Sequence, residues 1–203
     1  MEKRDIVKKV CNLYKTYGIK SITMDDVAHE LGISKKTLYQ YFSDKSELVS
    51  EAVTYEFQIK QEMFALRDCD KMNAMEELLH YYMIQVKMIL EYNPGFVYDL
   101  RKYYPTIYEN YIRIKREKIL DSVVRNLKKG KEEGFFRNEL NEDIISRLTL
   151  MRIEGMLHSG LFTNEEMMSP KVFTEIFNYH VYGIVTEKGR RYFEENKEQL
   201  TYK

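Results

Sequence analysis

The first seventeen residues place Ile6, Val7, Val10, Leu13, Tyr14 and Tyr17 at a 3.6-residue period. That spacing predicts an amphipathic helix ending at Gly18. A single helix cannot hide such a stripe, so it must pack on the next two helices of the chain. Ile19 and Ile22 are placed to close the same small core. The next stretch, residues 21–45 (SITMDDVAHELGISKKTLYQYFSDK), predicts two short helices joined by a tight turn. Ser21 and Thr23 are the cap candidates of the first. Thr23 followed three residues later by Asp26 makes a capping box, and Asp25 and Asp26 suit the positive end of a helix. Val27, Ala28 and Leu31 then face inward. Gly32 can take the left-handed turn, and Ile33 plugs it. Ser34 caps a second helix over Lys35 to Phe42, with Leu38 and Phe42 as its buried stripe.

What this second helix leaves outside is polar and basic: Lys35, Lys36, Thr37, Gln40 and Tyr41, with Tyr39 at the boundary. Helix, glycine turn and helix with such a face form the helix-turn-helix pattern, which fits a major groove about 12 Å wide.

Downstream, Ser43 or Asp44 caps a helix from about Lys45 to Leu66 carrying Leu48, Val49, Ala52, Val53 and Phe57. Because two residues separate it from the helix before, the two are expected to move together. Residues 67–73 break the pattern, and a helix is predicted over about Ala74–Glu91. Asn93–Pro94–Gly95 punctuates the chain, the short segment Phe96–Tyr103 comes next, and Pro105 opens a helix to about Glu133. Asn141 caps a helix through about His158, and Ser169–Pro170 begins the last major one, apolar on more than one side. The tail from Lys188 is mostly charged, with Tyr192 and Phe193 as its apolar exceptions. No strand alternation or repeat interrupts this reading. The expected class is all-α: a three-helix head over residues 1–45 and a larger helical body over 46–203.

Composition narrows the function. With 44% hydrophobic and 32% charged residues, the chain has material for a packed core. Lys+Arg and Asp+Glu each total 32. Electrostatic attraction to nucleic acid must therefore come from placement rather than net charge. Residues 1–50 hold nine Lys/Arg against seven Asp/Glu, a weak bias. Cys11 and Cys69 fit free thiols, and no apolar run reaches the ~20 residues of a membrane span. The expectation is a cytoplasmic protein without a membrane partner. No phosphate loop, HExxH or Cys–His spacing is present, so no enzyme activity, metal site or cofactor is expected.

The chain has 17 Tyr, 10 Phe and 11 Met but no Trp, and the aromatics crowd around Asn93–Gly95. Tyr82, Met83, Phe96, Tyr98, Tyr104, Tyr108 and Tyr111 suit a pocket for a mainly apolar compound, with His80 and Arg101 as polar anchors. The alternative is that the same residues simply pack.

The head resembles that of the tetracycline-repressor (TetR) family of bacterial transcription regulators. The residues that carry the resemblance are Thr23, Asp26, Ala28, Gly32, Ser34, Thr37, Leu38, Tyr39, Tyr41, Phe42, Lys45 and Leu48. The body is similar in architecture only. The resemblance implies DNA contact by Thr37, Tyr39, Tyr41 and Lys45. Lys36 and Thr37 are the candidates for base edges; Tyr39, Lys45 and Thr23 are those for phosphates. With Ser34, Lys35 and Gln40 they make up the expected DNA-binding face. It further implies a homodimer on a palindromic double-stranded operator, released by an unidentified small-molecule effector, with repression the commoner behaviour. The dimer surface is expected on the last two body helices, through Leu148, Ile153, Phe173, Phe177 and Val181. A helical protein-interaction scaffold without sequence-specific DNA binding is the alternative reading.

Overall fold

Local capping chemistry starts and stops the helices where the hydrophobic pattern changes. The computed structural model describes residues 2–64, 71–90, 93–158, 160–167 and 169–197, and among these the architecture is all-α. The one β pairing among the described residues is an isolated antiparallel bridge between Phe136 and Val185. Leu66, Cys69, Glu91 and the tail beyond Lys197 lie outside the described residues. Two compact units form, one from residues 1–63 and 93–114, the other from 64–92 and 115–203.

The first unit holds α1 (Lys3–Tyr17), α2 (Met24–Leu31), α3 (Lys35–Tyr41) and α4 (Lys45–Phe64). It also holds α6 (Pro94–Tyr103) and the start of α7 (Pro105–Glu132). Ile6, Val7, Val10, Cys11 and Tyr14 bury the inner face of α1 against Val27, Leu31, Leu38, Phe42 and Leu48. Tyr17, expected in that stripe, is 62% exposed. Periodicity put it on the right face, but the covering neighbours stop at Tyr14. Phe96, Tyr104, Ile107, Tyr108 and Tyr111 pack on the same core around buried Leu100.

The polar ties of this unit are equally specific. Glu56 on α4 pairs with Lys15 and Lys60, each at 3.1 Å, and accepts from the buried Cys11 thiol at 3.5 Å. Burial and the Glu56 carboxylate push that thiol up to about 12, so it stays protonated and free. Asn93 caps α6 by accepting from the Phe96 amide at 3.0 Å, and its own amide nitrogen donates to the Lys15 carbonyl.

The second unit contains α5 (Ala74–Leu90), the remainder of α7, α8 (Glu142–His158), α9 (Asn164–Met167), α10 (Pro170–Ile184) and α11 (Glu187–Asn196). Asn141 caps α8, accepting from the Ile144 amide at 3.0 Å, as its position predicted. The core joins Tyr82 and Phe177, stacked at 4.0 Å, to fully buried Phe193. α11 is a helix that the charged tail did not announce. Thr186 caps it through the Gly189 amide at 3.2 Å, and Phe193 anchors it.

Two glycines make this corner possible. A Cβ on Gly189 would sit 2.2 Å from the Phe135 carbonyl oxygen, and one on Gly130 2.0 Å from the Phe136 ring. Gly189→Ala and Gly130→Ala are each expected to destabilise by about 1–3 kcal/mol, because the first meets backbone and the second a core ring. Chemical denaturation of each variant beside the parent checks this; an unchanged midpoint would mean the corner relaxes freely.

Candidate nucleic-acid interface

The interface is built on α2, the turn and α3. Thr23 accepts from the Asp26 amide at 3.2 Å and donates its hydroxyl hydrogen to Asp26 Oδ2 at 2.7 Å. Asp26 also accepts from the Thr23 amide at 2.8 Å, completing the capping box. These hydrogen bonds hold the exposed Asp26 carboxyl below its ordinary range. Gly32 then takes the left-handed conformation with φ +65°, which no Cβ-bearing residue adopts cheaply. Its amide and that of Ile33 return to the Ala28 carbonyl. The chain re-enters helix at Ser34, whose hydroxyl oxygen accepts from the Thr37 amide at 3.0 Å. Leu38 and Phe42 are sealed in the core, so the rotation of α3 about its axis is fixed from behind.

That rotation decides what faces solvent. Ser34, Lys35, Lys36, Tyr39 and Gln40 are exposed, Tyr39 at 44%. Thr37 is half-buried, with its hydroxyl 2.8 Å from that of Ser34. Tyr41, expected outward, is half-buried against the head core, its ring 6.4 Å from that of Phe42. Lys35 pairs with Asp25 at 2.8 Å, which raises its pKa through that hydrogen bond and charge. Lys36 has no ion-pair partner among the described residues, so its charge is available to a ligand. Lys45 behaves differently. Its ammonium donates to the Ile19 carbonyl at 2.7 Å, and burial pulls its pKa down against the opposing pull of Asp99 and Asp26. One of its three donors therefore fixes the loop before α2, leaving two for other partners.

Two contacts of this site escaped sequence reading. Asp25 orients Lys35 from ten residues away, and Asp99 on α6 accepts from the Lys20 amide at 2.9 Å. Neither contact leaves a local signal, because both depend on how separate helices meet.

The aromatic cluster read as a ligand site is divided. His80, Tyr82 and Met83 belong to the second unit, where Tyr82 is buried and bonds Thr174 at 3.2 Å. Phe96, Tyr104, Tyr108 and Tyr111 pack on the first core, while Tyr98 and Arg101 are exposed. Two open clefts of the second unit run along α10 and α11, one lined by Tyr182, Thr186 and Arg190, the other by Phe135, Arg191 and Tyr192. Neither includes the residues of that cluster.

Of the residues expected at a dimer surface, Phe173, Phe177 and Val181 are buried in the second core. Ile153 is half-buried and Leu148 is exposed. Beside Leu148, Ile144 and Met151 continue an exposed stripe on α8, and α10 exposes Tyr179 at 83% and Tyr182 at 40%. Among the described residues no group of three or more His, Cys, Asp or Glu could hold a metal ion, and no helix is long and apolar enough to cross a membrane.

Residues 6–52 match the family model described as bacterial regulatory proteins, tetR family. Over 194 residues the chain is 27% identical to YvaF, an uncharacterised HTH-type transcriptional regulator of Bacillus subtilis, covering 93% of this chain and 97% of YvaF. An HTH-type transcriptional regulator of Staphylococcus aureus (strain USA300) is 25% identical over 146 residues, 60% of this chain and 78% of its own. Among solved structures, a TetR transcriptional regulator from Chloroflexus aurantiacus superposes with TM-score 0.70 at 17% identity, covering 90% of this chain and 96% of its own. A transcriptional regulator from Saccharomonospora viridis in complex with choline gives TM-score 0.70 at 17% identity, over 91% and 98%.

Proposed function

We propose, from the premise that this chain belongs to the tetR family of bacterial regulatory proteins, that it represses transcription by binding a palindromic operator as a homodimer and releases it on binding a small molecule. The observation that carries this reading is the exposed face of α3, where Lys36, Tyr39 and Gln40 stand clear while Leu38 and Phe42 hold the helix from behind. A scaffold helix needs no such outward cation beside a fixed turn. In the major groove, Lys36 and Gln40 reach base edges, while Tyr39, Ser34 and the remaining Lys45 donors serve phosphates.

Release depends on how the head is tied down. Ser43 donates amide and hydroxyl to Glu47 at 2.7 and 2.8 Å, and Asp44 accepts from the Glu47 amide at 2.8 Å. The connection to α4 is thus a closed cap rather than a slack linker. From the other side, α6 grips the end of α1 and the loop after it through Asn93–Lys15 and Asp99–Lys20. A ligand that shifts α6 or α4 therefore carries the reading helix with it, and needs only to favour the unbound head spacing. The partner surface is the exposed stripe of Ile144, Leu148 and Met151 with Tyr179 and Tyr182.

Selection of bound fragments from genomic DNA tests the reading. A palindromic consensus is expected, with affinity falling as salt rises at a log–log slope of about −0.9 for each phosphate neutralised. Absence of any enriched sequence at low salt would count against it.

A further inference from the structure

α6 brings a further pair of cations to the head, outside the helix-turn-helix. The Lys20 and Lys102 ammonium groups lie 5.2 and 5.5 Å from the centroid of one ring, that of Tyr103. Lys102 also donates to the Tyr98 hydroxyl at 2.9 Å. All four side chains are exposed, and among the described residues neither ammonium meets a carboxylate at ion-pair distance. The ring attracts each cation, but two like charges gathered at it repel one another, and a bound anion relieves that repulsion. Asp99, one turn before Lys102, is occupied by the Lys20 backbone amide at 2.9 Å. Gly18, at φ +83°, leaves room for that bond; a Cβ there would stand 3.0 Å from Asp99 Oδ2.

Two links tie this pair to the DNA-reading face. Lys45, a candidate for phosphate, donates to the carbonyl of Ile19, the residue next to Lys20. Thr23, another such candidate, follows Lys20 by three residues, which span no more than about 10 Å even when fully extended. The acids at this end of α2 are engaged, Asp26 in the capping box with Thr23 and Asp25 with Lys35. We propose that Lys20 and Lys102, gathered at Tyr103, grip the sugar–phosphate backbone of the operator outside the base pairs that α3 reads. This rests on the reading of the chain as a DNA-binding regulator and adds α6 to the elements that touch DNA. Duplex DNA carries one charge per about 1.7 Å of its axis, so a backbone that reaches Thr23 offers further phosphates to these lysines. Lysines present point charges with rotating donors, which suit phosphates rather than base edges. Because α6 also grips the end of α1, a ligand that moves it withdraws these contacts together with the reading helix.

Salt titration of operator affinity, for the parent and for Lys20→Gln with Lys102→Gln, tests this. Glutamine at position 20 keeps the backbone amide that Asp99 holds, and both positions are exposed, so the thermal midpoint should not move. Two such contacts in each half of a dimer account for about 3.6 of the log–log slope, at about 0.9 each. Between about 200 and 50 mM salt the parent should therefore gain ~100-fold more affinity than the variant. Base preference should stay as it was, and Lys20→Arg with Lys102→Arg should restore the slope. Neutral methylphosphonates placed in the duplex flanks should weaken the parent and leave the glutamine variant indifferent. Lys118→Gln with Lys171→Gln, both exposed on the second unit, controls for net charge and should keep the parent slope. The proposal is overturned if the glutamine variant keeps the parent slope, which would turn the patch to an acidic protein partner instead. It is equally overturned if the second-unit control loses as much, or if flanking methylphosphonates weaken parent and variant alike. A parent that binds the duplex while the variant keeps its slope removes this surface alone, whereas a parent that binds no duplex removes the regulator reading with it.

Discussion

Replacing Lys36 and Gln40 together by alanine is expected to lower operator affinity by ~100-fold or more, since each base contact is worth about 1–3 kcal/mol and is lost twice in a dimer. Both side chains are exposed, and neither supports the core. Exposed substitutions of this kind shift stability by no more than about 0.5 kcal/mol, so thermal unfolding should not move. That separation matters, because Leu38→Ala would also abolish binding, but by a different route. Leu38 is fully buried, and truncating it costs about 2–5 kcal/mol, enough to loosen the head itself. Electrophoretic mobility of the selected duplex, read beside the melting curves, distinguishes the two. Unchanged affinity in the double variant would remove α3 as the reading element.

The second large effect is expected in assembly. Leu148→Glu with Met151→Glu places two carboxylates on the exposed stripe of α8, where Leu148 is 48% and Met151 65% accessible in the single subunit. In a two-fold interface both copies bring the same patch, so four carboxylates would be buried together with no counter-charge, and desolvating them there is prohibitive. The variant should therefore run at the monomer mass of 24.5 kDa in light scattering while the parent runs at twice that. Because the subunit already exposes these side chains, its fold should survive. Operator affinity should fall ~10²–10⁴-fold, as two half-site encounters lose their linkage. A parent that is itself monomeric, or a variant that still dimerises, would place the pairing surface elsewhere.

The head was legible because its signals are local. Thr23, Gly32 and Ser34 act on neighbours within four residues, through caps and one left-handed turn, so spacing alone locates them. The body was legible only as helices. α10 is apolar around most of its circumference, and periodicity cannot say which side meets the core. Phe173, Phe177 and Val181 turned inward while Tyr179 and Tyr182 stayed outside. α11 escaped notice for a related reason. Its sequence is strongly charged, and what stabilises it is distant in the chain: Phe193 in the core, and Thr186 donating its hydroxyl to the Gly134 carbonyl at 2.8 Å. Lys45 shows the same limit within the candidate site. Its bond to the Ile19 carbonyl spans 26 residues and partly converts an expected phosphate contact into a fastener. The Lys35–Asp25 pair, ten residues apart, is a product of packing between helices.

Backbone amide resonances of the full chain, tracked while the selected duplex is titrated in, test the DNA-reading surface most directly. Shifts should concentrate at Thr23 and across residues 34–41, and should fade as salt is raised. Shifts confined to residues 142–197, with α3 silent, would contradict it.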